Sequence, residues 1–173
     1  MQAEAIANHI LDVASETATA LTQMQVIKLA YIAHGWNLAL KEEPLFDDPV
    51  QAWDHGPVIP DLYHAFKSFK KKPVTSKAKI FNIVDGQLQL TEPSINELDG
   101  NERAFVDQLI RKILSSYGHL TAWQLRDITH MPGTPWHTIT QQYEAEIPKK
   151  LQIPNELIMK HYKEQLAANL KAS

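Results

Sequence analysis

The sequence predicts an α+β fold that is mainly α: one helical domain over residues 1–173 carrying a small antiparallel β-sheet. Three observations lead there. Apolar residues recur at helical spacing over most of the chain. Asp85-Gly86 divides two alternating runs, the pattern of a two-stranded hairpin. Between the helical stretches, Ala52–Tyr63 sets a tryptophan, a Gly-Pro pair and a proline-started helix within twelve residues.

Taken in order, residues 2–18 read as an amphipathic helix with Ala3, Ile6, Ile10, Val13 and Ala14 on one face. Thr22 and Gln25 have the spacing of a capping box, and Leu21 and Val26 that of a hydrophobic staple, so a second helix starts there. It runs to about Leu40 with two apolar stripes side by side. A helix apolar on most of its circumference belongs at the centre of its domain. Lys41-Glu42-Glu43-Pro44 ends it. Residues 45–53 lead as loop and short strand into the Gly56-Pro57 corner, where glycine can take positive φ and proline fixes the next φ near −65°. Pro60 suits the first turn of a helix that ends near Phe69, with Leu62, Tyr63, Phe66 and Phe69 spaced for burial.

Residues 79–84 and 87–91 then form the hairpin. Two strands alone are marginal, so the hairpin is expected to pack on helices, with Val50–Trp53 as a possible third strand. Residues 101–117 form an amphipathic helix, Thr121 caps a short one through Ala122, Leu125 and Ile128, and Met131–Trp136 makes a turn that a helical segment can follow. Pro154 opens a last helix over 155–171.

Composition narrows the function classes. The net charge of −3 divides evenly: residues 1–90 hold 8 Lys and 10 Asp/Glu, residues 91–173 hold 9 Lys/Arg and 10 Asp/Glu. Nucleic-acid binders are more often basic overall. With no cysteine there is no disulfide, thiol catalysis or Cys-ligated zinc. No apolar run approaches the ~18 residues that span a bilayer, and the N-terminus lacks a basic region before an apolar core. A cytoplasmic protein without membrane contact is expected.

Candidate chemistry is sparse. Asp54 and His55 flank the Gly-Pro corner, with His34 and His64 as possible neighbours, but no pair has a zinc-ligand spacing. Nucleophile, Walker and dinucleotide motifs are missing, so no catalytic residue, metal or cofactor is assigned and the chain is expected not to be an enzyme. Lys28 stands out as the charge on the early part of the central helix. A buried ammonium must reach water or a partner, and Asp54 and Asp61 are the candidate carboxylates. Trp53 and Trp136 are either core residues or interface anchors. Six lysines (67, 70, 71, 72, 77, 79) follow one another from Lys67 to Lys79 without an acid, either as a solvated helix end or as a patch that steers an acidic partner.

Three segments resemble the Panacea domain family of SocA-like antitoxins, which includes phage-associated proteins. Gln25–Gly35 is similar to the family's L-x-K-L-x-Y-x-A-x-G helix, with Val26 in place of its leading leucine. Ala52–Tyr63 matches the Ala-Trp-x-x-Gly-Pro-Val-x-Pro-x-x-Tyr segment closely, and Thr134-Pro135-Trp136 is similar to the late Pro-Trp. The resemblance spans about residues 20 to 165 and implies a bacterial, phage or prophage protein. It also implies function by binding: family members neutralise cognate toxins encoded in adjacent genes, and some deliver a toxin to a protease. The expected reading is an antitoxin that neutralises its toxin in a direct protein–protein complex. Lys28, Tyr31, Trp53, Asp54, His55, Gly56, Pro57, Tyr63, Lys67, Lys70 and Lys71 are the candidate partner-binding residues. The rivals are a DNA-binding regulator using the helices around Thr121–Thr129, where Arg126 is the only basic side chain short of His130, and a small metal-dependent hydrolase using His55 and a carboxylate.

Overall fold

The computed structural model describes residues 1–84, 86–143 and 146–172, without the side chains of Val84 and Ala172. Asp85, half of the predicted hairpin turn, lies outside the described residues. The elements in chain order are α1 (Ala3–Glu16), α2 (Gln23–Lys41), β1 (Gln51–Trp53), β2 (Gly56–Val58), α3 (Pro60–Phe66), a 3₁₀ turn (Lys67–Phe69), β3 (Ile80–Val84), β4 (Gln87–Thr91), a second 3₁₀ turn (Ile95–Glu97), α4 (Gly100–Tyr117), α5 (Ala122–His130), α6 (Pro135–Thr140) and α7 (Asn155–Ala172). The fold is α+β and mainly α, with two separate two-stranded antiparallel sheets. None of the helices among the described residues is long and apolar enough to cross a membrane.

Helix α2 is the centre of the molecule. Its residues from Val26 to Gly35 are all buried, and it packs against α1, α4, α5, α7 and β2. Its start follows from side-chain capping: Gln25 Oε1 accepts from the Thr22 backbone N–H at 2.9 Å, while Gln25 Nε2 donates to the Leu120 carbonyl. One amide thus closes the helix end and ties it to the segment before α5. Thr121 and Gln124 repeat the capping device at α5. The close approach of α7 to α2 depends on Gly35, where a Cβ would lie 2.1 Å from Tyr162 Cε2.

The Gly-Pro segment is more than a corner. β1 and β2 form a tight hairpin, pairing Gln51 with Val58, Ala52 with Pro57 and Trp53 with Gly56. Gly56 takes the left-handed backbone (φ +97°) that follows the Asp54-His55 turn. Pro57 fits the ladder because its partner Ala52 turns its own N–H the other way, to the Leu151 carbonyl at 2.8 Å. Ile153 N–H donates in turn to the Val50 carbonyl. The segment before α7 is thereby held along the outer edge of β1.

The β3–β4 hairpin departs from expectation. Among the described residues it does not join β1, and one of its faces is left open. Phe81 pairs with Leu90 and Ile83 with Leu88, so all four side chains share one face, and they are 53–77% exposed. Its base is nonetheless anchored: Asn8, buried on α1, accepts from Ala78 N–H and donates to the carbonyls of Ala78 and Pro93.

Candidate functional site

Around the β1–β2 turn the chain leaves a cavity of about 780 Å³. Its walls come from the first turns of α2 (Thr22 to Lys28), from β1–β2, from the start of α5 (Ala122, Trp123) and from residues 146–150. Capping brings the first and third of these together through Gln25, and the β1 edge pairing holds the fourth in place. Met24, Ile27, Ala52, Val58 and Ile147 supply an apolar lining.

The structure gathers seven of the candidate residues at this cavity: Lys28, Trp53, Asp54, His55, Tyr63, Lys70 and Lys71. Trp53 packs edge-to-face on Tyr63 with ring centroids 4.9 Å apart, and its Nε1 donates to Gln51 Oε1. Trp136, from the late Pro-Trp, donates its Nε1–H to the Trp53 carbonyl at 2.8 Å. Both tryptophans are half-buried: Trp136 locks α6 to β1, and Trp53 forms part of the cavity wall. His55 and Asp54 are exposed at the turn. His55 meets the edge of Trp123 at 5.9 Å, and Trp123, 59% exposed, also carries the Arg126 guanidinium 5.8 Å from its ring.

Four candidates fall elsewhere. Tyr31 is 2% exposed and packs in the core against Tyr162. Gly56 and Pro57 are buried beneath the turn, and Lys67 is exposed but off the cavity. The lysine run is also divided: Lys77 is paired with Asp12 at 2.8 Å and Lys79 with Glu92 at 3.4 Å, leaving Lys70 and Lys71 at the cavity. His34 does not line the cavity: it is buried against Phe46, with Nε2 2.9 Å from Asn155 Oδ1. Among the described residues no group of three or more His, Asp or Glu is arranged to hold a metal ion.

The partner of Lys28 needs correction. Neither Asp54 nor Asp61 reaches it. Lys28 is 1% exposed, and its ammonium donates to the Pro57 carbonyl at 2.9 Å. A Cβ on Gly56 would lie 2.6 Å from Lys28 Nζ, 2.7 Å from His130 Cε1 and 3.0 Å from Thr129 Oγ1, so these three groups close on the glycine from α2 and α5. Burial, assisted by the nearby Arg126 charge, pulls the Lys28 pKa down to about 7. Burial likewise holds His130 below the usual imidazole value, with Nδ1–H donating to the Arg126 carbonyl. Beneath the turn lies a tightly packed polar joint; above it lies the open cavity.

Sequence reasoning missed Trp123, Met24, Ile147, Lys149 and Lys150, which all border the cavity. Trp123 carried a usable signal. It lies off the Leu125–Ile128–Thr129 face of a short capped helix, and an apolar aromatic off the buried face is a standing candidate for a contact. Residues 146–150 gave no such signal, because only the β1 edge pairing brings them in.

The sequence profile described as "Antitoxin SocA-like, Panacea domain" matches residues 26–137, from inside α2 to inside α6. The chain belongs to this SocA-like Panacea family. Among curated proteins it is similar to antitoxin SocA of Caulobacter vibrioides (strain NA1000 / CB15N), 27% identical over 165 residues, which covers 95% of this chain and 84% of that protein. No solved structure matches it significantly.

Proposed function

We propose that this chain is an antitoxin that neutralises a cognate toxin by binding it directly, and that the cavity face is where the toxin docks. Membership of the SocA-like family supports the antitoxin role, since its curated relative bears that name. The observation that carries the choice of face is a largely exposed tryptophan, Trp123, beside a cavity with an apolar lining and a rim of lysines. Interfaces concentrate their energy in a few aromatic and basic anchors around a desolvated centre, and this face has both. The toxin would be held inactive by the complex, with or without hand-over to a protease. Localisation in the cytoplasm and absence of enzymatic activity follow from the same reading.

The test is co-expression of the chain with the product of the adjacent gene. Rescue of growth together with recovery of a stoichiometric complex supports the proposal. Rescue without any complex, or no rescue by a folded chain, contradicts it.

A further inference from the structure

Resting on the reading of this face as the docking face, we infer that the cavity takes an inserted peptide segment of a protein partner, one with aromatic or aliphatic side chains flanked by aspartate or glutamate. Size is the first ground. At about 780 Å³ the cavity falls within the ~300–1,000 Å³ of pockets that enclose a whole ligand. It has room for several side chains, and a flat partner surface would leave its lining wet. Met24, Ile27, Val58 and Ile147 gain nothing from water and favour apolar occupants.

Charge is the second ground. Five lysines line the cavity (28, 70, 71, 149 and 150) against two acids, Asp54 and Glu146, in a chain whose net charge is −3. With Lys28 turned to Pro57, the other four remain for a ligand, and none of them forms a salt bridge among the described residues. They come from two segments far apart in sequence, so the positive rim is built by the fold. Lys70 and Lys150 also hold positive φ, +54° and +62°. Glycine would adopt that backbone with less strain, and a lysine there supplies a side chain that glycine lacks. Acidic residues flanking an apolar anchor complement such a rim and speed encounter.

A basic rim with aromatics can also hold single-stranded nucleic acid by base stacking. The wall aromatics argue for protein instead. Trp53 and Tyr63 are committed to each other edge-to-face, Trp53 Nε1 is tied to Gln51, Trp123 is met at its edge by His55 and carries the Arg126 guanidinium, and the apolar lining apart from these rings is Met24, Ile27, Ala52, Val58, Ile147 and Pro148.

Selection of a displayed random 12-residue peptide library on the purified full chain tests this. Enriched peptides should combine an aromatic or aliphatic pair with Asp or Glu. Their affinity should fall about tenfold or more in Trp123→Ala and in the quadruple variant Lys70→Glu/Lys71→Glu/Lys149→Glu/Lys150→Glu. All five positions are exposed, so circular dichroism should show unchanged folding. Peptides without acidic residues, binding that ignores both variants, or tighter variant-sensitive binding of a single-stranded oligonucleotide overturns the inference. Toxin co-expression with the same variants separates the two readings. If peptide binding is lost as expected while neutralisation persists, the docking face of the toxin lies elsewhere and the peptide site stands.

Discussion

The ammonium of Lys28 on α2 donates to the carbonyl of Pro57 on β2 across 2.9 Å, with almost no exposure to water. One bond joins the central helix to the β1–β2 hairpin. A charged lysine there is costly without a carboxylate, which is why its pKa falls to about 7 and not merely by a fraction.

That depression has a signed consequence. Above pH 7 the folded chain has released the Lys28 proton, while the unfolded chain keeps it until its ordinary value of 10.5. The unfolded state binds more protons over that window, so this group makes stability rise with pH, by at most about 1.4 kcal/mol per unit, and adds no slope below it. Urea denaturation at pH 6.5 and pH 9 should show the wild type gaining at least about 1 kcal/mol relative to Lys28→Met. Parallel pH profiles would show that Lys28 is not buried as described.

Gly56→Ala should be severe for so small a change. The new methyl would press on Lys28 Nζ and His130 Cε1 at under 3 Å, at φ +97°. Backbone strain of ~1–3 kcal/mol and overpacking of similar size lead us to expect a loss of about 2–4 kcal/mol. Thermal melting checks it, and an unchanged midpoint contradicts the packed joint.

Gly35→Ala tests the α2–α7 contact. Alanine is the better helix former by about 1 kcal/mol, yet its methyl would fall 2.1 Å from the Tyr162 ring. Net destabilisation is expected. In a double-mutant cycle with Tyr162→Ala the two losses should fail to add by more than about 0.5 kcal/mol. Additive losses would mean that the two residues do not touch.

The exposed hairpin makes the opposite forecast. Replacing Phe81, Ile83, Leu88 and Leu90 together with threonine removes no buried contact, so each change should stay within about 0.5 kcal/mol. Chemical denaturation giving a loss of several kcal/mol would show that this face packs on the helices after all.

These comparisons mark what the sequence could convey. Helix starts were legible where side chains declare them, at Thr22–Gln25 and Thr121–Gln124, and α2 was legible as the centre from its wide apolar surface. The β1–β2 pairing was only half legible, since a three-residue strand has no periodicity and Gly56-Pro57 reads as a corner before it reads as a strand. The hairpin was found, but the assumption that its apolar face must be covered failed, because β3–β4 is held at its base through Asn8 instead. At the site, Trp53, Tyr63 and the neighbouring lysines were found because they adjoin one motif. The walls from α5 and residues 146–150 arrive by tertiary pairing, through Gln25 with Leu120 and β1 with Leu151–Ile153, and no local pattern announces such pairings. The Lys28 partner was misread for a related reason: a backbone carbonyl leaves no mark in the sequence as a carboxylate does.

The central claim is that the toxin docks on the cavity face. The most direct measurement is the affinity of the chain for the purified product of the adjacent gene, by isothermal titration calorimetry, with wild type and with Trp123→Ala/Lys70→Glu/Lys149→Glu. The account predicts at least a hundredfold weaker binding for the variant at unchanged melting temperature, about 2.7 kcal/mol. Equal affinity for the two would contradict it.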